Sequence, residues 1–204
     1  MTFRIETFKG IEGEPYIRPL SEMRITEFCQ FPYLYMGNME NDLQYARQFS
    51  LSRQGILVVA FQDETMVGIR SGLPVRDNQS KDLEKALQQF ENQGIKARDY
   101  YYGGEIIVHP DFRRRGLGSQ LMARFVKEVK AMEFPAIIDI TVIRTPDHPL
   151  RPQNYVETGS ALLTKFGFKK SPVIVSVKYP TRQCDGNVQE EENDLVCWVN
   201  TLET

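Results

Sequence analysis

Residues 104 to 132, Gly-Glu-Ile-Ile-Val-His-Pro-Asp-Phe-Arg-Arg-Arg-Gly-Leu-Gly-Ser-Gln-Leu-Met-Ala-Arg-Phe-Val-Lys-Glu-Val-Lys-Ala-Met, constrain the fold more than any other stretch. They read as a strand, a basic glycine loop and a helix in unbroken succession. Glu105 to Val108 is a short β-branched run, and His109-Pro110-Asp111 ends it, because proline lacks a ladder donor and aspartate favours turns. From Leu117 the apolar residues fall at Leu117, Leu121, Phe125 and Val129, with Arg124, Lys127, Glu128 and Lys130 off that line, which predicts an amphipathic helix. Between the two stands Arg113-Arg114-Arg115-Gly116-Leu117-Gly118-Ser119. A helix N-terminus offers unpaired amides and partial positive charge, so a glycine turn there suits phosphate oxygens. Three arginines add mobile charge for more than one phosphate and point to a diphosphate-bearing ligand. A plain surface helix with a basic entry loop is the rival reading, and it sets positive charge against the helix dipole.

The two common nucleotide loops are excluded. A dinucleotide fingerprint needs a third glycine where Leu121 stands, and a P-loop needs Gly-Lys-Ser/Thr, which this loop lacks. What remains is Arg113-x-x-Gly116-x-Gly118 after a strand and opening a long helix. This resembles the acetyl-CoA-binding motif, Q/R-x-x-G-x-G/A, of the GNAT family of N-acetyltransferases. The resemblance implies an α/β fold, the acyl-CoA N-acyltransferase fold, with a central mixed, mostly antiparallel sheet of six to seven strands and helices on both faces. It also implies acetyl-CoA as cofactor, its pyrophosphate held by Arg113, Arg114, Arg115, Gly116, Leu117, Gly118 and Ser119, and its pantetheine arm by the main chain of Ile107 and Val108.

Size and composition set the surroundings of this unit. A chain of 204 residues predicts one domain with a substantial core. A net charge of −2 gives no general attraction to nucleic acid, and no apolar run reaches membrane-spanning length. Cys29, Cys184 and Cys197 are odd in number and far apart, which fits reduced thiols in a cytoplasm, and with His109 and His148 they make no metal set. The start of the chain has no basic end followed by an apolar signal core, so secretion is not expected. The oligomeric state, a homodimer included, is left open.

Taken in order, a first strand is expected within residues 3 to 20, centred on Tyr16-Ile17-Arg18 and ended by Pro19, then a helix from Ser21. The segment Phe31 to Gly37 interrupts, and a second helix runs near Asn41 to Ser52. Gly55 to Phe61 and Thr65 to Arg70 form a hairpin. Residues 79 to 94 carry Leu83, Leu87 and Phe90 on one line, a helix closed by Gly94 and an insertion relative to a compact family member. Pro135 to Ile143 is a strand in parallel crossover with the first unit. A helix from Val156 to Lys165 precedes Phe166-Gly167-Phe168, and Val173 to Tyr179 and Leu195 to Leu202 are closing strands. Asp185 to Asp194 reads as an acidic mobile loop.

Acyl transfer to an amine needs a held thioester, a base, oxyanion stabilisation and a leaving thiolate. Strand alternation puts Glu105 and Ile107 on one face, and an apolar setting favours proton exchange at a carboxylate, so Glu105 is the candidate base. Its other reading is an ion pair with Arg70 or Arg98. The resemblance implies a tyrosine general acid four residues before the glycine of the Gly-Phe pair. Here that residue is Leu163, and Tyr155 or Ser160 are the substitutes. Tyr33 and Tyr35 are candidate substrate contacts, or pack a helix corner. His148 and Arg151, beside prolines on a loop leaving a strand end, either meet the substrate or bond loop carbonyls. A Ser-His-Asp triad is not expected, since Ser119 lies in the phosphate loop and no nucleophile elbow is present. The expected acceptor is a primary amine on a small molecule. A protein lysine or N-terminus, and a silent acyl-CoA-binding module, are the alternatives.

Overall fold

The computed structural model describes residues 3–202. Seven strands form one sheet in the order β1-β2-β3-β4-β5-β7-β6. They are β1 (Arg4–Lys9), β2 (Ile56–Gln62), β3 (Thr65–Pro74), β4 (Tyr101–Val108), β5 (Ala136–Val142), β6 (Lys169–Arg182) and β7 (Val188–Thr201). Only β4 and β5 are parallel, as expected of strands joined through a helix. The helices are α1 (Ile17–Phe28), α2 (Met39–Leu51), α3 (Lys81–Asn92), α4 (Leu117–Ala131) and α5 (Thr158–Lys165).

Strand alternation divides the core. Ile56, Val58 and Ala60 of β2 face α4, joining Leu121, Phe125 and Val129, with Leu163 of α5 in the same cluster. Leu57, Val59 and Phe61 point the other way, onto Ile17, Leu20, Ala46 and Phe49 of α1 and α2. Helix α3 covers the rest of that second face, seating Leu83, Leu87 and Phe90 on Ile138, Val173 and Val175. Each such side chain contributes roughly 1.5–3 kcal/mol by leaving water. Helix α3 also reaches the sheet's edge, where Gln89 Nε2 donates to the Ile174 carbonyl at 2.7 Å and Lys85 Nζ to that of Ser176 at 3.4 Å. It thereby blunts an edge strand that would otherwise present unpaired carbonyls.

Two sequence expectations are corrected. Tyr16-Ile17-Arg18 is not a strand: Tyr16 closes a tight helical turn and Ile17 opens α1, with Pro19 in its first turn. A proline is tolerated there because the first-turn amides have no intrahelical partner. The first strand is instead Arg4–Lys9, paired with β2. The acidic run is not a mobile loop either. Val188 to Asp194 belongs to β7, and Glu192, Glu191 and Glu190 lie opposite Lys178, Tyr179 and Pro180 of β6. Ladder pairing outweighs the poor strand propensity of glutamate when the facing strand is already anchored.

Candidate functional site

Strands β4 and β5 form a fork. They pair only at Tyr101↔Ile137 and Tyr102↔Ile138, after which each strand continues without the other. On its other side β4 pairs with β3, and there the register slips, since Arg70 faces Ile106 while Gly72 faces Gly103. One extra residue therefore sits in β4, a bulge at Gly104–Glu105. Ser71 brackets it: its hydroxyl accepts from the Glu105 amide at 2.9 Å and donates to Glu105 Oε2 at 2.7 Å.

The bulge turns Glu105 toward α1, where Arg24 Nη1 donates to its other oxygen, Oε1. Arg24 Nε also bonds Asp42 Oδ1 of α2 at 2.7 Å, and its guanidinium lies 4.2 Å from the centre of the Tyr45 ring. Burial works against the Arg24 charge, but Glu105, Tyr45 and Asp42 outweigh it and raise its pKa. So Glu105 pairs with neither of the arginines the sequence suggested. Arg98 is on the surface with Glu84 and Glu91. Arg70 is buried and bonds Asp139 Oδ1 of β5 at 2.6 Å. Burial pushes the Asp139 carboxyl up, and Arg70 offsets part of that.

The loop between α1 and α2 closes one side. Arg144 donates to the carbonyls of Pro32 at 2.8 Å and Tyr33 at 2.9 Å, and the Tyr179 hydroxyl donates to the Tyr33 carbonyl at 3.1 Å. The backbone of Leu34 to Met36 is laced to β6, with Met36 N donating to Pro180 O at 2.8 Å and Arg182 N to Leu34 O at 2.9 Å. Tyr33 stacks on Phe28 with ring centres 4.5 Å apart. Tyr35 donates its hydroxyl to Asp42 at 3.0 Å and packs edge-on against Tyr179. Burial raises the pKa of Tyr33, and pushes Tyr35, Tyr102 and Tyr179 up to about 12, so these phenols stay protonated near neutrality.

His148, Arg151 and Tyr155 come together around Phe31, which sequence reasoning passed over. The Tyr155 ring meets Phe31 edge-on at 4.7 Å, His148 lies 5.5 Å from it, and the Arg151 guanidinium sits 4.9 Å from the Tyr155 ring centre. His148 Nδ1 accepts from the Leu150 amide at 3.1 Å, and burial lowers its pKa. Burial raises that of Tyr155. Ser160 bonds Glu157. Leu163, where the resemblance implied a tyrosine, is buried against the α4 side of the core.

At the basic loop the chain twice enters the left-handed region, at Arg114 (φ 61°) and Gly116 (φ 78°), directly before α4. Gly116 caps α4 with no side-chain bond to its first amides. A Cβ added at Gly116 would meet nothing within 4 Å, and one at Gly118 only Leu162 Cδ2 at 3.7 Å, which describes an open cradle over the helix N-terminus. Leu117 points into the core, and Ser119 Oγ accepts from Lys165 Nζ of α5 at 3.1 Å. Arg113 is not a mobile arm. Its Nε donates to the Val108 carbonyl at 2.9 Å and its Nη2 pairs with Glu27, tying the end of β4 to α1. Arg114 is exposed, and the Arg115 guanidinium lies 5.6 Å from the Phe112 ring centre. These residues fit a diphosphate ligand: amides without a side-chain cap and a glycine entry stand at one helix end, next to the exposed Arg114.

Arg24, Ser71, Asp139 and Arg144 were not singled out from sequence. The available signal was a charged residue inside an apolar run, as in Val67-Gly-Ile-Arg70 and Ile137-Ile-Asp139-Ile. Among the described residues, no group of three or more His, Cys, Asp or Glu side chains is arranged to hold a metal, and no helix is long and apolar enough to cross a membrane.

Comparison with solved structures finds the same architecture in yncA, a putative acetyltransferase from Salmonella typhimurium with its cofactor acetyl-CoA (TM-score 0.61, 15% identity, 100% of this chain and 96% of that one). It finds it also in a putative acetyltransferase from Acinetobacter baylyi (0.59, 14%, 100% and 94%) and in the ribosomal-protein-S18-alanine N-acetyltransferase of Escherichia coli (0.57, 13%, 100% and 96%). No curated protein matches in sequence. The sequence profile of the Acetyltransferase (GNAT) family matches residues 21–151. With the fork, the bulged strand and the uncapped glycine loop in the order that profile spans, the chain belongs to the GNAT family of acetyltransferases, enzymes that take their acetyl group from acetyl-CoA.

Proposed function

We propose that this enzyme transfers the acetyl group of acetyl-CoA to a primary amine on a small molecule, by direct attack with both substrates bound. The observation carrying the small-molecule reading is the state of the β6 edge. An extended peptide commonly binds by adding a strand to an exposed sheet edge. Here the carbonyls of Ile174 and Ser176 are engaged by α3, and those of Pro180 and Leu34 bond across the joint between β6 and the α1–α2 loop. That edge has little free ladder to offer a peptide.

In this reading the loop amides at Leu117 to Ser119, with Arg114 and Arg115, hold the pyrophosphate. The main chain of Ile107 and Val108 meets the pantetheine arm, and Arg113 acts by anchoring the end of β4. Glu105 is the base, acting through a water, since Arg24 and Ser71 occupy its oxygens and fix their direction. Tyr33 and Tyr35 border the acceptor, while His148 and Arg151 support the wall through Phe31. Tyr155, kept protonated by burial, is the proton donor nearest in role to the tyrosine that Leu163 replaces. A thiol of pKa about 8.5 also leaves as thiolate unaided.

The test follows thiol release from acetyl-CoA with a panel of small primary amines and with peptides bearing a free N-terminus or lysine. Turnover confined to peptides would refute the proposal. Glu105→Gln is expected to lower kcat by 10²-fold or more, on the order of a lost general base, with acetyl-CoA affinity unchanged. An equal loss of both would make Glu105 structural.

A further inference from the structure

The fork opens at a point held by side chains. The last paired residues of β4 and β5 are Tyr102 and Ile138. The next residue of β5 is Asp139 and the next of β4 is Gly103. Arg70 of β3 passes beneath β4 at this level, donating from Nη1 to the Gly104 carbonyl at 3.2 Å and from Nη2 to Asp139 Oδ1 at 2.6 Å. The ring of Phe125 in α4 supports the guanidinium 4.2 Å away. The passage exists because residue 103 is glycine: a Cβ there would lie 1.9 Å from Asp139 Oδ1 and 2.0 Å from Arg70 Nη2.

Stability is a poor explanation for this pair. Its side chains are 1% and 6% exposed, and Arg70 Nε is buried without a hydrogen-bond partner. Apolar residues of similar volume generally serve a core as well as a buried ion pair does. What they lack is direction. The pair makes fixed-length bonds from β3 to β4 and β5 where the backbone ladder between the last two has ended.

We infer that Arg70 and Asp139 are positioning residues, a strut that sets the opening of the β4–β5 fork and the placement of the Gly104–Glu105 bulge, and so holds the slot for the pantetheine arm of acetyl-CoA. This rests on the proposal that the arm meets the main chain of Ile107 and Val108, on the part of β4 beyond its last pair with β5. The nucleotide end of the cofactor, held at the basic loop, lies outside the strut's reach, so the two ends of one ligand respond differently.

The test measures binding of acetyl-CoA and of 3′-phospho-ADP, the nucleotide end without its arm, by calorimetry to the wild type, to Arg70→Met/Asp139→Leu and to Arg70→Lys. The double variant removes both charges together and is expected to keep its melting temperature. Its affinity for acetyl-CoA should fall by about tenfold or more, with 3′-phospho-ADP bound as by the wild type. Arg70→Lys, which keeps a cation for Asp139 but lacks the second donor for Gly104, should fall severalfold for acetyl-CoA alone. Unchanged acetyl-CoA affinity in a folded double variant overturns the strut, and so does an equal loss of both ligands. If the double variant does not fold, an unchanged affinity in Arg70→Lys overturns it. A wild type that binds neither ligand instead removes the cofactor placement on which the strut rests.

Discussion

Replacing Arg24 by methionine tests whether the buried charge cluster organises the acceptor side. Arg24 is 13% exposed and bridges Asp42 and Glu105, whose side chains are 0% and 5% exposed. Methionine keeps most of the side-chain length and removes the cation, leaving two carboxylates inside the protein. Breaking a buried pair in this way costs about 3–5 kcal/mol. For a chain of this size that is a fall in melting temperature of roughly 6–20 °C. Arg98 is the control, since it also bridges two carboxylates, Glu84 and Glu91, but is 48% exposed. Solvent screening makes such a pair nearly silent. Arg98→Met should therefore melt with the wild type. Thermal melts of the three proteins decide it. A fall under 2 °C would refute the reasoning.

Gly118→Trp should abolish calorimetric binding of acetyl-CoA while the protein melts normally, because the nearest atom to an added Cβ is Leu162 Cδ2 at 3.7 Å and the larger ring extends over the open cradle. Retained binding would move the phosphate site elsewhere. Leu163→Tyr, which places there the tyrosine that the sequence resemblance implies, should destabilise by about 1–3 kcal/mol through overpacking, because Leu163 is only 3% exposed. A thermal melt equal to the wild type would show that the core has room for a phenol at this position.

What could be read from the chain itself was what local chemistry dictates. A β-branched run stopped by His-Pro, a glycine entry and a 3.6-residue apolar period specify β4, the basic loop and α4 with almost no outside help, and these carry the family's signature. The hairpin of β2 and β3 and the apolar line of α3 were legible for the same reason. Tyr16-Ile17-Arg18 was misread because propensity is weak over three residues, and a following proline is compatible with a first helical turn as well as with the end of a strand. Glu190 to Glu192 were misread because their pairing with β6 is invisible until the hairpin closes.

The site residues divide along the same line. The loop residues at 113 to 119 announce their chemistry through spacing, although nothing in that spacing shows Arg113 tied to Val108 and Glu27. Glu105 is visible as a carboxylate in an apolar strand, but its partner lies 81 positions away on α1. Arg70 and Asp139 are 69 apart. A buried charge must find an opposite charge, and sequence states only that the need exists. Which arginine answers which carboxylate is decided by the bulge that turns Glu105 toward α1 and by the glycine that lets Arg70 pass beneath β4, and both are properties of the closed sheet.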